Sequence, residues 1–224
     1  MISVIIPTLN EEACIRRCIE SVRSTAAGCE IIVADGGSTD RTGEIAESHP
    51  KVQLVQSEAG RGNQMNSGAT HAQGDVLLFL HADTFLEEGW HDDIAAALRN
   101  NDISGGAFTF AIDAPARKYR IVEAWVSMRC RIFSLPYGDQ AIFIRRSFFE
   151  KLGGYKNLPL MEDVDLVTRM KKLGRITILQ NRALTSGRRW ASKGLLRTAL
   201  INQITLLLYL LGVNPHKLAR FYYR

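Results

Sequence analysis

Asp75-Val76-Leu77-Leu78-Phe79-Leu80-His81-Ala82-Asp83 is the stretch on which the fold turns. Its apolar run is too short for a helix and is built of strand-forming residues, so it reads as a fully buried strand. The run stops abruptly at His81, Ala82 and Asp83, two of which carry metal-ligating side chains. Ligands of open α/β sheets collect just beyond the carboxyl ends of the strands, which makes Asp83 a candidate for holding a cation. Asp also ends strands as an ordinary turn residue, so the assignment needs other groups converging on the same edge.

Toward the N-terminus the pattern repeats. Ser3-Val4-Ile5-Ile6-Pro7 reads as a strand stopped by Pro7, which has no N–H for a ladder. Residues 30–34 form another, closing in Asp35-Gly36-Gly37-Ser38-Thr39-Asp40, and residues 52–55 a third. Asn10 is placed as an N-cap, with Glu11 and Glu12 at the positive end of a helix whose apolar stripe is Ile15, Ile19 and Val22. A second helix is expected over 42–48. Gly60-Arg61-Gly62-Asn63-Gln64-Met65-Asn66 is expected as a loop leading into a helix that ends near His71. This alternation predicts a doubly wound, mainly parallel sheet over the first hundred residues. Thr8 and Asn10, Asp35 and Asp40, and Asp83 would then share one edge. The glycines at 36, 37, 60 and 62 would let backbone approach a ligand there.

Beyond residue 100 the rhythm changes. Strands are expected over 105–110, 140–144 and 175–179, with helices over 120–133, 147–152, 162–173 and 195–211, the last stopped by Gly212 and Pro215. The fold class is α/β, a doubly wound mixed sheet with a nucleotide site at the strand C-termini and a C-terminal amphipathic helix.

With 224 residues, 46% of them hydrophobic and 23% charged, the chain suits one sizeable α/β domain with an appendage. Residues 1–7 lack the basic, long apolar pattern of a signal peptide. Cys14, Cys18, Cys29 and Cys130 form no paired metal-ligand spacing, so a reducing cytoplasm is expected. The net charge of +5 hides a split: 12 of the 28 cations and none of the 23 acids lie after Asp165. The first 165 residues therefore carry −7 and the remainder +12, which points to an anionic partner. Neither the Gly-x-Gly-x-x-Gly nor the Walker fingerprint is present, arguing against a dinucleotide enzyme or a P-loop protein.

Four blocks taken together resemble the family 2 glycosyltransferases, with their type A glycosyltransferase fold: residues 3–11, Val33-Ala34-Asp35-Gly36-Gly37-Ser38-Thr39-Asp40, His81-Ala82-Asp83, and Glu162-Asp163-Val164-Asp165. The motif at 60–66, with Arg188-Arg189-Trp190, is similar to the radical-SAM/selenodomain-associated transferase subgroup. The resemblance implies an inverting transfer of a sugar from a nucleoside-diphosphate sugar, UDP-linked, to a lipid-linked or small-molecule hydroxyl acceptor. It implies Mg²⁺ or Mn²⁺ at Asp83 and Asp163 as general base. Glu162 and Asp165 beside that base would raise its proton affinity through like-charge repulsion. The plain alternative is that Glu162 and Asp163 simply favour a helix N-terminus.

Pro7, Thr8, Asn10, Glu11 and Asp35 match the family's nucleoside-pocket positions. Arg61 is expected at the diphosphate or base and Asp139 at the acceptor, with Glu162 among the substrate contacts. Arg188, Arg189 and Trp190 match in part the Gln-x-x-Arg-Trp block of processive relatives, Ser186 standing at the Gln position. The usual double Asp is Asp35-Gly36 here, and the usual Asp-x-Asp is His81-Ala82-Asp83, so a single acid serves the metal.

Residues 1–190 are read as the catalytic domain, 1–100 as its nucleotide-sugar half and 101–190 as its acceptor half, with 191–224 a basic, apolar tail. That tail is too interrupted to span a bilayer and reads as an interfacial helix on an anionic membrane, or as a core or homodimer helix. The site of action would be cytoplasmic, peripheral on the inner face of the membrane. No nucleic-acid recognition motif accompanies the basic residues. A sugar nucleotidyltransferase would want a basic phosphate loop after the first strand, where this chain has Thr8-Leu9-Asn10-Glu11. A non-catalytic binding module would have no need of both Asp83 and Asp163.

Overall fold

A computed structural model describes residues 1–25, 28–188 and 194–222. β1 (Ile2–Thr8), β2 (Glu30–Asp35), β3 (Val52–Gln56) and β4 (Val76–Phe79) form the parallel half of one eight-stranded sheet. Its order is β3-β2-β1-β4, then β7 (Ile142–Arg145), β6 (Ile103–Asp113), β8 (Arg175–Ser186) and β5 (Thr84–Leu86). β7 runs antiparallel to both β4 and β6, β8 runs parallel to β6, and β5 closes the edge antiparallel to β8. This is the mixed α/β sheet read from the sequence.

β1 shows why a central strand is apolar without interruption. Val4 and Ile6 point into the hydrophobic layer on one side of the sheet and Ile5 into the other, all with no exposed surface. Leu78 and its neighbours Leu77 and Phe79 divide between the layers in the same way. Each such side chain contributes roughly 1.5–3 kcal/mol by leaving water. The first layer is covered by α1 (Ile15–Thr25) and α4 (Trp90–Ala97), with α2 (Thr42–Glu47) adding Ala46. The second is covered by α3 (Arg61–His71), α6 (Arg146–Leu152) and α7 (Glu162–Met170). α8 (Leu195–Leu210) and α9 (Pro215–Tyr222) join that second layer through Leu206, Leu218 and Ala219. α5 (Lys118–Phe133) lies against β6 with its own small core of Tyr119, Val122, Val126 and Cys130. Cys14, Cys18 and Cys130 are buried free thiols.

Several local expectations are corrected. Asn10 is no N-cap: it has φ 57°, and α1 begins at Ile15. Residues 61–66 are not a loop, because α3 is already formed at Arg61. Gly62 leaves room for the Lys156 carbonyl, which a Cβ there would meet at 2.7 Å, so its close approach is to protein and not to a ligand. β8 continues to Ser186, seven residues past the apolar run. α8 ends at Leu210, ahead of Gly212 with φ 86°, and Pro215 instead opens α9, where Asn214 Oδ1 accepts the His216 N–H at 2.8 Å. β5 and α4 are additional elements. Among the described residues no helix is long and apolar enough to cross a membrane.

Candidate active site

Parallel pairing in register brings Thr8 beside Asp35 at the carboxyl edge of the sheet. The carboxylate of Asp35 is consumed by that edge. Its Oδ1 accepts from Thr8 Oγ1 at 3.1 Å and Ser38 Oγ at 2.5 Å, and its Oδ2 from the N–H groups of Gly37 at 3.2 Å and Ser38 at 2.9 Å. Asn10 accepts the Thr39 N–H at 2.9 Å and donates its own to Ser38 Oγ at 2.9 Å. Asp40, just before the α2 N-cap Arg41, accepts from the N–H groups of Thr42 at 3.0 Å and Glu12 at 3.1 Å, tying the two loops together, and does not line the cleft. From beneath, the buried amide of Gln64 donates to the carbonyls of Thr8 and Ala34 at 2.5 and 3.1 Å. The loops after β1 and β2 are thus bound to each other and to α3.

Above this floor lies a cleft of about 440 Å³, within the size range of small-molecule sites. Its lining includes Pro7, Thr8, Glu11 and Asp83 beside the ends of β1 and β4, and Tyr137, Asp139, Glu162 and Asp163 from the segment before β7 and the start of α7, with Arg61 of α3 reaching Glu162 at 3.6 Å. Thr198, Asn202 and Tyr222, from α8 and α9, complete the wall. Asn10 and Asp35 are not lining residues; they hold the loops behind it.

On the first side, Glu11 faces Arg188 at 3.3 Å. Burial raises its pKa first, and Asp83 raises it further, against the pull of Arg188. Two carboxylates thus share one corner of the cleft, a negative field that a cation relieves. Among the described residues no cluster of three or more His, Cys, Asp and Glu could enclose a metal ion. Asp83 therefore fits a cation held by one protein carboxylate and completed by phosphate oxygens and water, the habit of Mg²⁺ with phosphate ligands.

On the second side, Asp163 sits in the first turn of α7. Its Oδ2 accepts the Gly138 N–H at 2.7 Å and its Oδ1 the Val164 N–H at 2.7 Å, which fixes the carboxylate's orientation. A methyl group on Gly138 would lie 2.8 Å from His81 Nε2 and 3.4 Å from Asp163 Oδ2. The β4 end and the α7 start therefore meet across a residue with no side chain. His81 packs there beside Asp163. Glu162 is buried, and its pKa is pushed up to about 7 by burial and then by Asp163, with Arg61, 3.6 Å away, opposing. Tyr137 lines the same side with Arg129 stacked 3.6 Å from its ring centre, and its buried hydroxyl has no hydrogen-bond partner among the described residues.

Asp165 does not join this group. It is paired with Lys156 and Arg169, each at 2.7 Å, and forms part of the helix packing instead. Ser186 donates its N–H to the Asp83 carbonyl at 2.9 Å, delivering the end of β8 to the cleft. Arg189 and Trp190 lie outside the described residues. Sequence reading passed over Gln64, Tyr137, Thr198, Asn202 and Tyr222. Of these Gln64 alone carried a signal, as one of the polar residues of the motif at 60–66.

The family model described as Glycosyl transferase family 2 matches residues 3–153. The chain is 31% identical over 199 residues to "Probable glycosyltransferase YdaM" of Bacillus subtilis, covering 77% of this chain and 47% of that protein. It is 34% identical over 163 residues to a "PGL/p-HBAD biosynthesis glycosyltransferase" of Mycobacterium bovis, covering 69% of this chain and 63% of that one. It thus spans about half to two thirds of the length of these relatives. Among solved structures it resembles glucosyl-3-phosphoglycerate synthase from Mycobacterium tuberculosis in complex with Mn²⁺, UDP and phosphoglyceric acid. That match has a TM-score of 0.67 at 20% identity, over 95% of this chain and 79% of the other. S. aureus TarS 1-349 in complex with UDP-GlcNAc gives 0.63 at 19%, over 92% and 65%. Both likenesses are of fold.

Proposed function

The chain belongs to glycosyl transferase family 2, and from that premise we propose that it moves a sugar from a nucleoside-diphosphate sugar to a hydroxyl acceptor with inversion at the anomeric carbon. The observation that carries this reading is the convergence of Asp83 and the Glu162–Asp163 pair on one cleft from elements about eighty residues apart. In this assignment Thr8, Pro7 and Glu11 line the nucleoside side, while Asn10 and Asp35 act through the loops they hold. Uridine is the proposed base, in keeping with the UDP bound by both structural neighbours. Arg61 is proposed to meet the diphosphate, and Arg189 and Trp190 are kept as proposed substrate contacts on the sequence motif alone. A divalent cation, Mg²⁺ or Mn²⁺, held through Asp83 would supply Lewis-acid stabilisation of the charge on the leaving diphosphate.

Asp163, its two oxygens held by backbone N–H groups, accepts the acceptor hydroxyl's proton. The freed oxygen attacks the anomeric carbon from the face opposite the diphosphate. As the new C–O bond forms, the bond to the phosphate oxygen breaks. In this reading Glu162, Asp139 and Tyr137, which line the cleft, would bind the acceptor. Residues 1–100 would hold the donor and 101–190 the acceptor. We propose an acceptor of the lipid-linked or small hydroxyl class, and the motif at 60–66 supports kinship with the radical-SAM/selenodomain-associated subgroup.

The test is a panel of nucleotide sugars with Mn²⁺ or Mg²⁺, followed by thermal stabilisation and donor turnover. A donor that both stabilises the protein and is consumed when a hydroxyl acceptor is added supports the reading. Stabilisation by none of the panel contradicts it.

A further inference from the structure

Ile121, Trp125, Met128, Ile132 and Phe133 of α5 are between 45% and 71% exposed. The first four recur at spacings of four, three and four residues, which lays them in one stripe along the helix. α5 already buries another face, Tyr119, Val122, Val126 and Cys130, against Phe110 and Ile112 of β6. The helix is therefore apolar on two faces, and the second stripe is uncovered among the described residues. Isolated apolar side chains on a surface need no explanation; a contiguous stripe about 16 Å long does.

The charges around that stripe are one-sided. Lys118, Arg120 and Arg131 are exposed on the same helix and Arg117 at its N-cap, Arg120 also donating to the carbonyls of Ile112 and Ala114 at 3.0 Å. Its one acid, Glu123, is half-buried and engaged by Arg120 at 3.0 Å and by the Ile112 N–H at 2.7 Å. Lys171 adds a cation at the C-terminal end, donating to the Phe133 carbonyl.

We propose that this face of α5 docks on an anionic lipid surface, its apolar side chains entering the boundary between headgroups and acyl chains and its cations meeting lipid phosphates. A second copy of this chain is disfavoured as the occupant. An antiparallel pairing about Trp125 would bring the arginines of both copies together with no free acid on the face to answer them.

The docking face is coupled to the cleft through Arg129. It donates from Nε to the Leu135 carbonyl at 3.2 Å and from Nη2 to Gln140 Oε1 at 3.1 Å, and stacks on Tyr137. Docking would therefore hold Tyr137 and Asp139 next to the membrane surface, where a lipid-linked hydroxyl is presented. That consequence rests on the proposed transfer reaction; the docking does not.

The test is co-sedimentation of the full chain with phosphatidylcholine vesicles, with and without phosphatidylglycerol. Binding should require the anionic lipid and weaken with salt. The surface variant I121D/I132D should lower partition by roughly tenfold or more, while keeping its Tm and its stabilisation by nucleotide sugar. L207D/L210D, on exposed positions of α8, should lower it less. Equal partition of the wild type and I121D/I132D would overturn the proposal, as would loss confined to the α8 variant. So would a dimer in sedimentation velocity that I121D/I132D dissociates while neither protein binds vesicles. Because partition is read without donor, a failure here leaves the transfer reading intact, and failure of the donor panel leaves docking intact.

Discussion

Asp35 and Glu162 are both buried carboxylates, 3% and 4% exposed, one behind the loops that follow β1 and β2 and one in the first turn of α7. Asp35 receives four hydrogen bonds from its own loop and from Thr8. Glu162 has Arg61 at 3.6 Å and a charged neighbour, Asp163, and its pKa rises to about 7. The Tyr137 hydroxyl on that side of the cleft is buried without a partner among the described residues. The floor under Thr8 thus has its hydrogen bonds satisfied within the protein. The Tyr137–Glu162 side keeps buried polar groups only partly answered by the protein, a common arrangement where chemistry is performed. Binding and proton transfer should therefore come apart under mutation.

The largest effect is expected at Asp163. Asp163→Asn keeps the size, gives up one of the two backbone N–H partners and removes the base, so transfer should fall by roughly 10²–10⁴-fold in a product-formation assay. Asp83→Ala should weaken metal-dependent donor affinity on the order of a hundredfold. It should leave the metal-free affinity unchanged, as titrations with and without Mn²⁺ would show. Gln64→Ala attacks the floor instead. With the Ala34 carbonyl losing this donor and the Thr8 carbonyl keeping only the Gly36 N–H, 2.9 Å away, stability should drop by about 2 kcal/mol, lowering Tm by roughly 4–8 °C. Full stability in this variant would mean that the floor is not held from beneath.

The smallest effect is at Glu162. Its folded pKa, about 7, lies above the ordinary 4.5, so the folded state binds the extra proton between those values. Stability attributable to this group is present below about pH 4.5 and is lost as pH rises through about 7. Glu162→Gln should remove that slope and raise stability by roughly 1–2 kcal/mol at about pH 8, net of the pairing with Arg61. Chemical denaturation at about pH 5 and pH 8 reads the difference.

How far the sequence carried depended on whether a residue's neighbours were local. β1, β2 and β4 were legible because central parallel strands are apolar on both faces and end in polar loops. The cleft-lining positions of Thr8, Glu11, Asp83 and Asp163 followed from those ends and from the family's blocks. β5 escaped because three residues show no period. β8 was cut short at Leu179, where Gln180-Asn181-Arg182 breaks the apolar run; there Arg182 pairs with Glu87 of the loop after β5. Asn10 was misread as a cap because Asn serves turns and helix ends alike. Its partner Thr39 lies 29 residues away. Thr198, Asn202 and Tyr222 were invisible as cleft residues, since only the folding back of α8 and α9 places them there. Asp165 shows the opposite failure: adjacency to Asp163 suggested a shared role, while one further step around the helix delivers it to Lys156 and Arg169.

The central claim, that one side of the cleft binds and the other reacts, is tested most directly by titrating a nucleotide sugar that the wild type turns over into the Asp163→Asn protein in the presence of Mn²⁺. The account predicts wild-type donor affinity with no product formed. Donor affinity lost together with transfer, or transfer retained at the wild-type rate, would contradict it.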